Sequence, residues 1–134
     1  MSLPDTNAVI RAYLAADAGI IAFFDPDAPR IYCPRLPEGA ILPAIGFFTR
    51  GGRSTPYIPD LVSPSVQFDC WADSPTVARQ VYRTLYNALQ GLQNQVVDSN
   101  KILSAREEVQ GQDLQDVDIP GYWRVLSFWE IIVR

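Results

Sequence analysis

Apolar and polar residues alternate most clearly at the middle of the chain. Val66, Phe68 and Cys70 fall on one face of the predicted strand, because side chains on a strand point alternately to opposite sides. Ser74 and Pro75 follow this strand closely, and they are residues preferred at the N-cap and the first turn of a helix. The pattern therefore predicts a strand that leads directly into a helix.

Helical spacing of apolar residues predicts one principal helix, residues 75–90, and two shorter helices near the N-terminus. The principal helix carries an apolar stripe made of Val77, Val81, Leu85, Ala88 and Leu89. Asp5 or Thr6 is expected to cap the first short helix. Asp17 is expected to cap the second, which is predicted to end at Asp25-Pro26.

Alternation and the positions of glycine and proline predict five strands. These strands are residues 30–33, 44–50, 65–71, 101–108 and 122–133. Gly51-Gly52 breaks the second strand, so residues 51–62 are predicted to form a long hairpin loop. We expect an α+β fold, in which a mostly antiparallel sheet of about five strands packs against one long helix, with one or two N-terminal helices.

The last predicted strand is apolar on both sides. Trp123, Val125, Trp129, Ile131 and Val133 lie on one face, and Tyr122, Leu126, Phe128 and Ile132 lie on the other. If helices cover only one face of the sheet, the second face stays exposed and favours association with another subunit. Coverage of that face by the N-terminal helices of the same subunit is the alternative, and both remain open.

Composition limits the classes of protein that the chain can belong to. With 134 residues, 48% hydrophobic and 19% charged, residues 1–134 are expected to form a single domain. A net charge of -4 opposes nonspecific binding of nucleic acid, which depends on Lys and Arg contacts to phosphates. Cys33 and Cys70 lack metal-ligand spacing and are interpreted as buried thiols. Without an apolar run long enough to cross a bilayer, we expect a soluble protein with no membrane contact.

Residues suited to catalysis are scarce. The chain has no histidine, and Lys101 is its only lysine, so a serine or cysteine nucleophile has little to activate it. Glu107 and Glu108 are neighbours on a strand and should point to opposite faces, so they cannot act as a carboxylate pair. We expect no catalytic residues, no cofactor and no metal site, and hence no enzyme.

Two polar stretches are similar in composition to ligand-binding loops. Residues 50–55, Arg-Gly-Gly-Arg-Ser-Thr, lack the spacing of a phosphate-binding loop, and no helix follows them. Asp113, Asp116 and Asp118 do not follow the spacing of a calcium-binding loop. We interpret the first stretch as a mobile or protein-contact loop and the second as a solvated acidic loop.

Several segments form an ordered set along most of the chain. They are Ile10-Arg11-Ala12-Tyr13-Leu14, Arg30-Ile31-Tyr32, Leu36-Pro37-Glu38-Gly39-Ala40 leading to Leu42-Pro43-Ala44-Ile45, and Val66-Gln67-Phe68-Asp69-Cys70-Trp71-Ala72 with the following helix. This set resembles the tail-terminator or tail-completion proteins of long-tailed bacteriophages, which also occur in prophages and gene transfer agents. The C-terminal third matches only in its strand pattern.

The resemblance implies a structural role in the virion, at the tail and neck, after assembly in the host cytoplasm. Proteins of this family form a six-subunit ring at the head-proximal end of the tail tube. There they stop the addition of the major tail tube protein and provide a docking surface for the head–tail connector or stopper protein. The acidic composition agrees with a ring through which DNA passes without specific binding, since like charges repel.

Five residues are predicted to contact other proteins. Arg50, Arg53 and Tyr57 belong to the predicted hairpin of residues 50–62, with Arg50 at its base, and Arg79 and Arg83 lie on the polar side of the principal helix. The first three suit contact with a neighbouring ring, and the other two suit a boundary with acidic residues of the next subunit. An ordinary hairpin tip is the competing interpretation for the first group.

Two other functions remain open on sequence alone. One is a neighbouring neck ring, such as a head-completion or stopper protein. The other is a small dimeric regulatory domain whose ligand pocket is lined by Trp71, Trp123 and Trp129.

Overall fold

One six-stranded sheet and three helices make up the computed structural model, which describes residues 3–24, 28–115 and 121–134. The helices are α1 (Thr6–Ala15), α2 (Ala18–Ile21) and α3 (Pro75–Leu89). The strands are β1 (Ile31–Tyr32), β2 (Ala44–Ser54), β3 (Val62–Ala72), β4 (Gln93–Val97), β5 (Asn100–Gln115) and β6 (Trp123–Val133).

The strands lie in the order β1-β2-β3-β6-β5-β4. The short β1 pairs in parallel with β2, and every other pairing is antiparallel. Strand β6 therefore lies between β3 and β5, with Val125 opposite Cys70 and Ser127 opposite Phe68. The sheet is curled into a half-barrel.

The predicted fold class is wrong. Strands account for 46% of the described residues and helices for 23%, and six strands form a mixed, curled sheet with short helices instead of about five mostly antiparallel strands on one long helix. The sequence does not predict strand β4, because its first four residues are exposed and show no apolar alternation. Strand β5 continues to Gln115 because pairing with β6, more than burial, keeps its polar second half extended.

The predicted helix starts are confirmed. Asp5, Asp17 and Ser74 each accept a hydrogen bond from the backbone N–H three residues further along, at 3.1–3.2 Å. Such caps satisfy an N–H that has no partner within the helix. The predicted end of the second helix, Asp25-Pro26, falls outside the described residues.

The hydrophobic core lies between the helices and one face of the sheet. Its fully buried members include Ile10 and Leu14 of α1, Ile20 of α2, Leu85 and Leu89 of α3, and Phe47, Phe68, Trp129 and Ile131 of the sheet. The hydroxyl of Tyr13 donates to the carbonyl of Ala88 at 2.6 Å and joins α1 to α3. All three helices therefore lie on the same side of the sheet, and the N-terminal helices do not cover the opposite side, which we call the outer face.

Gly51-Gly52 bends β2 without ending it. The register between β2 and β3 shifts between Thr49 and Gly52, as expected for a β-bulge. Gly52 has a φ of +135°, and a Cβ there would lie 2.3 Å from the carbonyl oxygen of Ser63. Only glycine fits this position, and the strands continue so that the hairpin loop is limited to residues 55–61.

Candidate protein-interaction surface

The outer face of the sheet carries large apolar side chains that are only half-buried. They are Phe48 on β2, Trp71 on β3, and Leu126, Phe128 and Ile132 on β6. On β6, the residues between them face the core, so that both sides of this strand are apolar, as the sequence predicts. No helix or strand within the described residues covers this face, so these side chains are available for contact with another protein.

Arginines lie over the aromatic rings of the outer face. The guanidinium carbon of Arg50 is 4.1 Å from the ring centre of Phe128, and that of Arg124 is 5.3 Å from the ring centre of Trp71. These are cation–π distances, at which a positive charge is attracted to the face of a ring. The arginine stems also cover apolar area while their charged heads remain accessible to a partner.

Asp69 is an acidic group embedded in this face. Its side chain lies 3.4 Å from Arg124 and 3.4 Å from the amide of Gln67. Burial raises the pKa of Asp69, since a buried charge loses hydration, and the nearby arginine and the amide hydrogen bond offset only part of that rise.

Arg53 lines a small cleft at the hairpin end of the outer face. The cleft has a volume of about 170 Å³ and includes Ser65, Arg106, Glu108 and Glu130 in its lining. Arg106 lies 3.1 Å from Glu130, and Glu108 accepts a hydrogen bond from Ser65 at 3.0 Å. The structure thus places Arg50 and Arg53 on one surface, together with charged groups of both signs.

Tyr57 lies in the hairpin loop and is 91% exposed, while its neighbour Ile58 is 38% exposed. A side chain of this size contributes little to folding when it is so exposed. Its role in contact with another protein stays a prediction.

Arg79 and Arg83 lie on the opposite side of the protein, away from Arg50 and Arg53. They line a groove of about 300 Å³ between α3 and β5, together with Tyr86. Arg79 donates to the carbonyl oxygen of Gly111 at 3.1 Å and lies 3.7 Å from the carboxylate of Asp113. Arg79 therefore already has partners within its own subunit. Helix α3 contains no acidic residue.

Side chains of α3 and of Gln90 just beyond it satisfy backbone groups on the edge of β5 that β4 leaves uncovered. The hydroxyl of Tyr82 accepts a hydrogen bond from the N–H of Gly111 at 3.0 Å and donates to the carboxylate of Glu107. Gln90 accepts from the N–H of Glu107 at 2.8 Å. Burial and the hydrogen bond to Glu107 raise the pKa of Tyr82 to about 12. These contacts satisfy backbone groups on a strand edge that could otherwise pair with a strand of another molecule.

Glu107 and Glu108 point to opposite faces, as expected, since the first contacts Tyr82 and the second contacts Ser65. The interpretation of both cysteines as buried is wrong for Cys33, which is exposed, whereas Cys70 is buried.

Three further observations concern the described residues alone. Within residues 3–24, 28–115 and 121–134, no group of His, Cys, Asp and Glu side chains is arranged to hold a metal ion. Asp113 belongs to β5, whereas Asp116 and Asp118 fall outside the described residues. No helix in this part of the protein has the length and apolar character to span a membrane.

Sequence reasoning missed Arg124 and the embedded Asp69. The signal for both is the alternation of β3 and β6, which places these two residues on the face opposite the core. Their pairing depends on the register of the two strands, which the sequence alone does not supply.

Comparison with known proteins gives a match among solved structures. No protein-family model matches the chain, and no curated protein does. Among solved structures, a chain from the virion of a native gene transfer agent particle superposes with a TM-score of 0.63, at 14% sequence identity. The match covers 95% of this chain and 93% of that chain. The two chains share a fold over nearly their whole lengths.

Proposed function

We propose that this protein is a structural component of a phage-like virion, and specifically a tail terminator. In this proposal, six copies form a ring at the head-proximal end of the tail tube. The ring ends the addition of the major tail tube protein and presents a docking surface to the head–tail connector or stopper protein. The observation that carries the proposal is the fold shared with a gene transfer agent virion chain over 95% of this sequence.

The uncovered outer face supports an assembled state. Half-buried apolar side chains, overlaid by Arg50 and Arg124, combine the aromatic residues and arginines that are enriched in protein interfaces. An isolated domain gains nothing from keeping such a face in water. A neighbouring subunit or ring would bury it.

The net charge of -4 supports passage of DNA without binding. Few phosphate contacts form on an acidic surface, and like charges repel, so a ring of such subunits does not retain the DNA that moves through it. The proposal places the protein in the virion, at the tail and neck, and requires no catalytic step, cofactor or membrane contact.

The groove along α3 supports a subunit boundary at Arg83. Arg79 is engaged within the subunit, so Arg83 is the arginine of this groove better placed to meet a carboxylate of the next subunit. The charge reversal Arg83→Glu should weaken ring formation at low salt, where surface charges are least screened. Lys101→Glu is the matched control, because it makes the same charge change at another exposed position. Equal ring formation by the two variants would contradict this boundary.

Electron microscopy of particles made without the gene tests the function directly. Overlong tubes together with free heads are the expected result, and the intact gene supplied separately should restore normal particles. Tails of normal length detached from full heads would assign the protein to head–tail joining alone, as for a stopper. Normal, attached and infectious particles would reject the tail role.

A further inference from the structure

An open cavity lies at the end of the outer face furthest from the hairpin. It has a volume of about 400 Å³, within the range of roughly 300–1,000 Å³ typical of ligand pockets. Trp71 and Tyr122 line one side as an edge-to-face aromatic pair with ring centres 6.1 Å apart. Leu36 and Pro37 of the segment before β2 line the other side. The cavity is thus bounded by groups suited to an aromatic or aliphatic side chain.

The same protein exposes a side chain of this kind. Tyr57 is 91% exposed at the hairpin loop, with the partly exposed Ile58 beside it. The segment 50–59 carries Arg50 and Arg53 and no carboxylate, while the cavity lining includes the carboxylate of Glu38 as well as a single arginine. The carboxylate of Glu38 can pair with an arginine of this segment, and the aromatic lining can accept the ring of Tyr57.

Tyr57 cannot enter the cavity of its own subunit. The hairpin loop precedes the first residue of β3, whereas Trp71 is next to the last residue of this strand, which has 11 residues. At about 3.3 Å per residue, the loop and the cavity are roughly 30 Å apart. Any contact between them must join two copies of the protein.

We infer that Tyr57 of one copy docks between Trp71 and Tyr122 of the next copy. The contact uses a different surface on each partner, so successive copies add head to tail, and the assembly closes into a ring if the rotation between copies permits it. This inference rests on the proposed ring and identifies the contact by which its subunits recognise one another. An aromatic side chain that fills a pocket is the usual anchor of such an interface.

Disulfide trapping between two differently marked copies tests the contact. In a Cys33→Ser background, which removes the exposed native thiol, one copy carries Ile58→Cys beside Tyr57 and the other carries Arg35→Cys in the cavity lining, so that the carboxylate of Glu38 is kept. Under mild oxidation, the mixture should give the mixed disulfide and little of either symmetric one. Replacing Arg35→Cys by Val96→Cys, at an exposed position on β4, is the control that should give none.

The strength of self-association supplies the second measurement. By sedimentation, Tyr57→Ala should associate about 30-fold more weakly than the unmodified protein, the effect expected for loss of an aromatic anchor. Val96→Ala, which shortens another exposed side chain, should change it by less than about twofold.

Absence of the mixed disulfide, or a share of mixed disulfide no larger than random pairing of the two thiols gives, would overturn the inference, as would unchanged association of Tyr57→Ala. These measurements use purified protein alone. They can therefore fail while gene deletion still produces overlong tails, and they can succeed while deletion leaves the tails normal.

Discussion

Gly111 determines how closely strand β5 can approach helix α3. A Cβ at this position would lie 2.7 Å from Cζ of Tyr82 and 2.8 Å from Cγ1 of Val125, closer than a methyl group can come without displacing them. The φ of Gly111 lies outside the left-handed region, so the backbone itself would accept alanine. Lack of space is therefore the whole reason that Gly111→Ala should destabilise the protein.

The expected cost follows from three effects. Overpacking costs about 1–3 kcal/mol, and displacement of Tyr82 weakens hydrogen bonds to Gly111 and Glu107 worth about 1 kcal/mol net. Alanine lowers the conformational entropy of the unfolded chain, which offsets about 0.4–1 kcal/mol of this loss of stability. We expect Gly111→Ala to lower the free energy of unfolding by about 2 kcal/mol, with a fall in melting temperature of roughly 6–10 °C.

Urea titration followed by circular dichroism measures this difference. Gln110→Ala, at the exposed preceding position, should change the free energy of unfolding by less than about 0.5 kcal/mol. In a Tyr82→Ala background, Gly111→Ala should cost about 1 kcal/mol less than in the unmodified protein, because the ring that it meets is gone. Equal stability of Gly111→Ala and the unmodified protein would refute this account of the β5–α3 contact.

Three further predictions concern ionisation and accessibility. The free energy of unfolding should fall as the pH rises from 10 to about 12, because Tyr82 loses its proton at a lower pH in the unfolded chain than in the folded protein. Urea titration should show a smaller fall in Tyr82→Phe. The pKa of Asp69 is raised in the folded state, so the unmodified protein loses stability as the pH rises from below ~4 to ~7 and this carboxyl ionises. Asp69→Asn has no such group, so its free energy of unfolding should rise relative to that of the unmodified protein over this range. A difference between the two proteins that stays constant with pH would contradict that sign. A coloured thiol reagent should label Cys33 in the native protein and reach Cys70 only after urea is added, and rapid labelling of both thiols without urea would argue against the burial of Cys70.

The parts of the fold that the sequence predicts well are those with a local cause. The cap at Ser74 and the alternation around Phe68 depend only on neighbouring residues, and both are confirmed. The extent of β5 to Gln115 and the existence of β4 depend on pairing with distant strands, because their exposed side chains carry no apolar pattern. The predicted fold class is wrong for this reason.

The same division applies to the interaction surface. Alternation places Phe128 and Arg124 on the outer face, and the glycines and prolines around Tyr57 indicate an exposed loop. The engagement of Arg79 by Gly111 has no signature in the sequence, because it depends on how far β5 extends past α3. The cavity beside Trp71 likewise requires the path of the segment before β2, which no periodicity describes.

Among the strands of the described residues, β6 is the last in sequence and yet lies between β3 and β5. During synthesis, the β2–β3 hairpin and the β4–β5 hairpin therefore emerge as two separate half-sheets, each with an unpaired edge. They can join only when β6 has left the ribosome and inserted between them. Until then, the nascent chain presents two open strand edges, so we expect its folding to be completed late and its partly made forms to depend on chaperones.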